Sequence, residues 1–205
     1  MIDPKNVIIL LDPGHGNNTP GKCSPDKSVY EWKWVREEAA LIQVQLKALG
    51  FDARILVPEE KDIPLSTRVA RANKIWEENG KNKKGKYVFL ISIHLNAAGN
   101  GQWMSACGWT GWVATNAGQT SRKLAQLLYC EAEKLGLKGN RSVPKEKYWA
   151  ANFYILKNTK CPAVLTENMF QDNKEDVEFI LSKDGIDKLT KVHVEGIRKF
   201  VETLQ

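Results

Sequence analysis

The sequence predicts an α/β fold with a largely parallel sheet covered on both faces, and three observations carry that reading. Strand-like and helix-like stretches alternate along the chain, as they do where crossover helices join parallel strands. Three short runs, at 7–11, 87–93 and 163–165, are apolar almost without interruption, the composition of strands buried on both sides. Each run leads into polar residues: Asp12-Pro13-Gly14-His15-Gly16, then His94-Leu95-Asn96, then Glu167 after Thr166. Working groups of open α/β sheets gather beyond the carboxyl ends of strands. These three strand ends are therefore predicted to converge into a His, His, Glu site.

The first strand, 7–11, is followed by a loop from Asp12 to about Tyr30 that holds three prolines besides Gly14, Gly16 and Gly21. Connections of that length are usually functional or mobile. A helix over 31–49 follows from Val35, Ala39, Ile42 and Leu46 at three and four spacing, and Gly50 stops it. Residues 51–57 are the second strand. Pro64-Leu65-Ser66 opens the next helix, whose apolar positions Leu65, Val69, Ala72 and Trp76 end near Gly80. The third strand is 87–93. The small, glycine-rich stretch 96–105 reads as a loop across the strand ends. Residues 108–115 form another strand, in which Trp109 and Trp112 cannot share a face, so one of them is expected to be exposed or under a loop. A helix over 119–135 turns Leu124, Leu127, Leu128 and Ala132 inward and closes at Gly136. The stretch 141–149 is polar and irregular, 152–156 resembles a strand, and helices over 174–181 and 184–203 finish the chain.

At 205 residues, with 42% hydrophobic and 26% charged residues, the composition is that of an ordinary globular domain rather than a disordered chain. No stretch is long and apolar enough for a transmembrane helix. No internal repeat or domain-dividing linker is visible, so residues 1–205 are expected to be one domain. The opening MIDPKNVIILLDPGHG lacks the ordered regions of a signal peptide; an exported protein would need a leader absent from this chain or another route out. The net charge of +6 comes from dispersed lysines apart from Lys81, Lys83, Lys84 and Lys86. Without interleaved aromatic residues that cluster reads as a solvated loop, not a nucleic-acid surface. Cys23, Cys107, Cys130 and Cys161 lack C-x-x-C spacing and read as free thiols.

A catalytic zinc takes three protein ligands and leaves a fourth position open. His15 and His94 supply two. Asp12, Asp26, Glu31, Glu37 and Glu38 are the carboxylates near the same edge, and Glu31 is the choice because it stands where the loop returns to start the first long helix. Its alternative role is a favourable charge at the helix N-terminus. Glu167 is either a fourth ligand or a general base; the competing role is a buried ion pair with a lysine or arginine. His193, between Val192 and Val194 of the last helix, reads as a helix-surface or partly buried histidine rather than a ligand.

ILLDPGHG at 9–16, LSTRVARAN at 65–73, ISIHLN at 91–96 and AVLTEN at 163–168 occur here in one order, and in that combination the chain resembles the zinc-dependent N-acetylmuramoyl-L-alanine amidases of the Amidase_3 type. The resemblance spans nearly the whole chain. It implies a mixed, mostly parallel sheet of about six strands flanked by helices. It implies hydrolysis of the amide between N-acetylmuramic acid and the L-alanine of the stem peptide, in peptidoglycan. It also implies one zinc per chain on His15, Glu31 and His94, with Glu167 acting on the zinc-activated water. Two departures stand out: GNNTPGKCSPD replaces a glycine-rich GGxDPGA run, and TENMFQDN replaces VETGFLSN. Arg68 and Asn73 fall on a patterned Arg and Asn of the family helix and read as structural, Arg68 pairing with the Asp12 region. Arg141, Asn96 and Trp103 are candidate substrate contacts, Arg141 through a bidentate grip on a stem-peptide carboxylate. Trp103, Trp109 and Trp112 offer faces to sugar rings or serve the core. The expected protein is a monomer acting on the cell wall, as a phage lysin or as a periplasmic or secreted enzyme. A zinc peptidase cutting within the stem, or an inactive wall-binding module, are the alternatives.

Overall fold

In a computed structural model that describes residues 2–80 and 83–204, the apolar runs become the centre of a six-stranded sheet. Its strands are β1 (Val7–Pro13), β2 (Asp52–Ile55), β3 (Tyr87–Asn96), β4 (Thr110–Val113), β5 (Trp149–Ala150) and β6 (Ala163–Phe170), in the order β2-β1-β3-β6-β4-β5. The first four in that order are parallel, β4 runs antiparallel to β6, and β5 is parallel to β4. The sheet is thus mixed and mostly parallel. Helices α1 (Glu31–Ala48), α2 (Leu65–Asn79), α3 (Gln119–Lys134), α4 (Tyr154–Asn158), α5 (Lys174–Leu181) and α6 (Lys183–Glu202) flank it.

Alternation along the strands sorts the side chains into two cores. Val7, Ile9, Leu11, Phe89, Ile91 and Val164 pack with Ile42 of α1, Leu128 of α3 and Phe200 of α6. Ile8, Leu10, Val88, Leu90 and Leu165 pack on the other face with Val69 and Ala72 of α2 and Ile155 of α4. Burying each such side chain contributes roughly 1.5–3 kcal/mol, which explains why these strands tolerate almost no polar residue before their ends. Helix breaks are set by caps. The Ser182 hydroxyl accepts from Gly185 N at 2.9 Å and starts α6 directly after α5, where Asn173 caps the opposite end by accepting from Asp176 N at 3.0 Å.

Several expectations need correction. Residues 152–156 are not a strand: β5 already occupies the sheet edge at Trp149–Ala150, and Tyr154–Asn158 forms a short helix that buries Ile155 and Leu156. Leu65 is 50% exposed; the inward stripe of α2 is Arg68, Val69 and Ala72. Trp109 and Trp112 do point to opposite faces, yet neither is exposed. Trp109 lies in the first core and donates to Asn168 Oδ1 at 2.8 Å, and Trp112 is half-buried against the second. His193 is fully buried rather than at the helix surface. Its Nδ1–H donates to the Leu189 carbonyl at 2.9 Å, so Nε2 accepts from the Thr166 hydroxyl at 3.0 Å. Burial pushes this histidine down to about 4, and it is neutral at physiological pH. Strands β3 and β6 run past their apolar stretches, so His94 and Glu167 lie inside strands instead of beyond them.

The loop at 96–105 is tied down by Asp172, whose Oδ2 accepts from Ala98 N and Gly99 N at 2.8 Å each. Lys83 and Lys84 are exposed; Lys81 lies outside the described residues. All four cysteines are free thiols. Among the described residues no helix is long and apolar enough to cross a membrane.

Candidate active site

His15 follows β1 in a left-handed backbone conformation, φ 55°, which a non-glycine residue adopts only when its surroundings hold it there. Two arginines do so. Arg36 of α1 and Arg68 of α2 both donate to the His15 carbonyl, at 2.9 and 3.0 Å. Arg68 is a buried hub: it also donates to Asp12 Oδ1 at 2.9 Å and to the Pro13 carbonyl at 2.6 Å, while Ser92 donates to Asp12 Oδ2 at 2.7 Å. Arg36 adds the Gly14, Trp32 and Glu59 carbonyls. The turn after β1 is therefore fixed by charge-assisted bonds from both flanking helices.

Gly14 makes the space for the second histidine. A Cβ there would stand 2.2 Å from His94 Cε1, so only glycine lets the His94 ring lie over the turn. The two imidazoles meet edge to face with centroids 5.0 Å apart. Glu31, at the first position of α1, reaches both. Its Oε1 lies 3.0 Å from His94 Nδ1 and 3.4 Å from His15 Nε2, and it accepts from Leu95 N at 3.0 Å. The preceding loop delivers it through backbone bonds from Glu31 N to Lys22 O and from Ser24 N to Val29 O. Burial alone would raise the Glu31 carboxyl; the bonds to His15 and His94 outweigh it and hold the group at about 2.

One donor atom from each of His15, Glu31 and His94 falls within 4.8 Å of the others, and among the described residues this is the one such group able to hold a metal ion. Two imidazoles and a carboxylate suit zinc, with a position left open. Glu31 Oε2 is buried without a hydrogen-bond partner, a donor atom left for a cation. The rival carboxylates are engaged elsewhere: Asp12 with Arg68, Asp26 with Ser24 and Ser28, Glu37 with Lys33. Glu38 is buried under the Thr190 hydroxyl.

Glu167 pairs with His94 in the parallel β3–β6 register, with Thr110 of β4 on its other side. No lysine or arginine forms an ion pair with it among the described residues, and its buried Oε2 makes no hydrogen bond. Burial, with the charge of Glu31, raises its carboxyl to about 7 against the opposing pull of His94, Lys22 and Arg141. A carboxyl so placed can exchange a proton near neutrality.

The candidate substrate contacts separate. The Arg141 guanidinium lies 5.9 Å from the ring centroids of Trp112, Trp149 and Phe170. The Asn96 side chain instead caps its own turn, accepting from Ala97 N at 2.9 Å. Trp103 packs against the first core, with the Lys174 ammonium 5.7 Å over its ring. Asn73 is structural, bonding Asn158 O and Lys160 N. Arg36 escaped sequence reasoning, because its partners are backbone carbonyls of remote residues and no local pattern marks them.

Comparison with known proteins places this arrangement. The family model described as N-acetylmuramoyl-L-alanine amidase, Amidase_3, matches residues 9–199. The endolysin of Bacillus phage SPP1 is 24% identical over 202 residues, 95% of this chain and 66% of that protein. The N-acetylmuramoyl-L-alanine amidase CwlM of Bacillus licheniformis is 25% identical over 195 residues, 94% of this chain and 68% of that protein. The chain thus spans about two thirds of the length of these relatives. Among solved structures, the N-acetylmuramoyl-L-alanine amidase from Clostridium difficile 630 superposes with TM-score 0.78 at 24% identity, covering 97% of this chain and 98% of that one. Ami1 from Mycobacterium smegmatis does so with TM-score 0.80 at 16% identity, with the same coverage. At these identities the likeness is one of fold.

Proposed function

Because the chain belongs to the N-acetylmuramoyl-L-alanine amidase family Amidase_3, we propose that it hydrolyses the amide between N-acetylmuramic acid and L-alanine in peptidoglycan, holding one zinc ion on His15, Glu31 and His94 and using Glu167 as general base. The observation that carries this reading is the pairing of Glu167 with His94 beside the only cluster of metal-ligating groups among the described residues. Residues 1–205 act as one catalytic domain and as a monomer. The site of action is the cell wall, in keeping with the endolysin and amidase names of its relatives.

When bound, zinc supplies a Lewis acid that polarises the amide carbonyl and makes water more acidic. The chain's own residues do the rest. Glu31, held ionised by the two histidines, balances positive charge at the site. Arg36 and Arg68 keep His15 aimed at His94. Glu167 takes a proton from the attacking water as its oxygen bonds to the lactyl carbonyl carbon. The same proton passes to the alanine nitrogen as the carbon–nitrogen bond breaks, leaving a carboxylic acid and a free peptide amine.

The reading is tested with a soluble N-acetylmuramoyl-L-alanyl peptide and zinc-loaded protein, following release of the alanine amine. Wild type should release it. Glu167→Gln should keep its zinc and lose roughly 10²–10⁴-fold in kcat. Undiminished turnover by that variant would move the base elsewhere.

A further inference from the structure

Seven arginines occur in the chain, and six of them have protein partners. Arg36, Arg54, Arg68, Arg71, Arg122 and Arg198 all donate hydrogen bonds to carboxylates, backbone carbonyls or a tyrosine hydroxyl. Arg141 differs. Among the described residues no carboxylate pairs with it and no hydrogen bond engages its guanidinium; it is held only by the faces of Trp112, Trp149 and Phe170, each 5.9 Å away. Aromatic faces steady a cation without using its N–H groups. All five donors stay available to a ligand.

The position of this cradle matters. Thr110 pairs with Glu167 and Trp112 pairs with Leu165, so Trp112 stands on the same face of the sheet as Glu167, two residues along the neighbouring strand. Phe170 lies three residues beyond Glu167 on β6. Arg141 therefore overlooks the reacting centre from the β4–β5 side, opposite the His15 turn.

We propose that Arg141 is a specificity residue that grips a free carboxylate on the peptide being released, one residue beyond the alanine. The inference rests on the amidase reading above. A planar guanidinium matches a carboxylate through two parallel N–H bonds, and the anions of a peptide leaving group are carboxylates. The enzyme would then distinguish stems whose second residue keeps its main-chain carboxylate from stems in which that group is amidated.

The test uses N-acetylmuramoyl-L-alanyl-D-glutamate with the side-chain carboxyl blocked as a methylamide, in two forms that differ only in a free or amidated main-chain carboxyl. Wild type should favour the free acid by roughly 10- to 100-fold in kcat/KM, mostly through KM. Arg141→Met should no longer discriminate, and Arg141→Lys should recover part of the preference. Equal rates on both substrates with wild type, or a preference that survives Arg141→Met, overturns the proposal. Failure of the amidase reading looks different, since neither substrate would be cut. The released dipeptides decide the matter independently of turnover. Followed by the fluorescence of Trp112 and Trp149 beside the guanidinium, the acid should bind wild type about 10-fold or more tighter than the amide, and Arg141→Met should lose the difference. Equal binding of acid and amide to wild type overturns the inference.

Discussion

His94 and Glu167 sit directly opposite each other in the parallel ladder between β3 and β6. Paired residues on neighbouring strands share a face and stand about 4.8 Å apart along the sheet, so backbone register alone sets an imidazole of the candidate metal cluster beside a carboxylate. No loop has to close to bring them together. The other members of the cluster, His15 and Glu31, arrive from the turn after β1 and the first residue of α1, and each is fixed by identifiable bonds.

Removing Glu31 should cost metal affinity before it costs the fold. Glu31→Ala deletes the oxygen ligand and leaves two imidazoles, and zinc affinity measured against a chromophoric chelator should fall by more than roughly 100-fold. The far-ultraviolet spectrum should be unchanged. An affinity within a few-fold of wild type would remove Glu31 from the ligand set.

Arg68 and Asp12 are 2% and 1% exposed and paired at 2.9 Å. Arg68→Met strands a buried carboxylate and removes the bond to the Pro13 carbonyl, and should destabilise the protein by about 3–5 kcal/mol in urea unfolding. Adding Asp12→Asn should recover part of that loss, because the stranded charge is then gone. Additive single effects would mean that the two side chains act independently.

Gly14→Ala places a methyl group 2.2 Å from His94 Cε1. The ring must move, and zinc affinity and turnover should both fall with the fold intact. Wild-type metal binding in this variant would show that the turn has slack the structure does not display.

Two buried groups away from the site set opposite pH dependences. Burial raises Glu38 from 4.5 to about 8, against the Thr190 hydrogen bond. The folded state therefore binds the extra proton between those values, and stability falls as pH rises through the window, levelling above about 8. Burial lowers His193 from 6.5 to about 4, so the unfolded state binds the extra proton there and stability rises with pH across that interval. Between 4.5 and 6.5 the two oppose; above 6.5 His193 no longer contributes, Glu167, raised to about 7, adds to the decline in the lower part of the range, and Glu38 carries it on to about 8. Glu38→Gln should flatten the decline between about 7 and 8, above the range of Glu167, measured by denaturant unfolding at a series of pH values. A decline that persists in the variant would assign it to another group.

The strands through both cores were legible because unbroken apolar runs have few other uses. His15 and His94 could be anticipated at one edge because they follow strand ends of such a sheet; Glu31, whose place at a helix start equally suits the dipole, is favoured as their partner by the family resemblance. What the sequence hid depends on distant partners. Residues 152–156 have strand-like composition, but the edge position was already filled by Trp149 and Ala150. Arg36 holds the His15 turn through carbonyls, which carry no sequence signature. His193 reads as a helix-surface or partly buried residue, while its full burial follows from the packing of α6 under Thr166 and Trp109.

The central claim is the bond that is cut, and mass spectrometry of the soluble products from purified peptidoglycan sacculi reads it directly. With zinc-loaded protein, stem peptides beginning with a free L-alanine amine should appear. They should vanish with a chelator and return when zinc is restored. Fragments cut within the stem while glycan and L-alanine stay joined would contradict the account and identify a peptidase; intact sacculi under every condition would leave a wall-binding module in place of an enzyme.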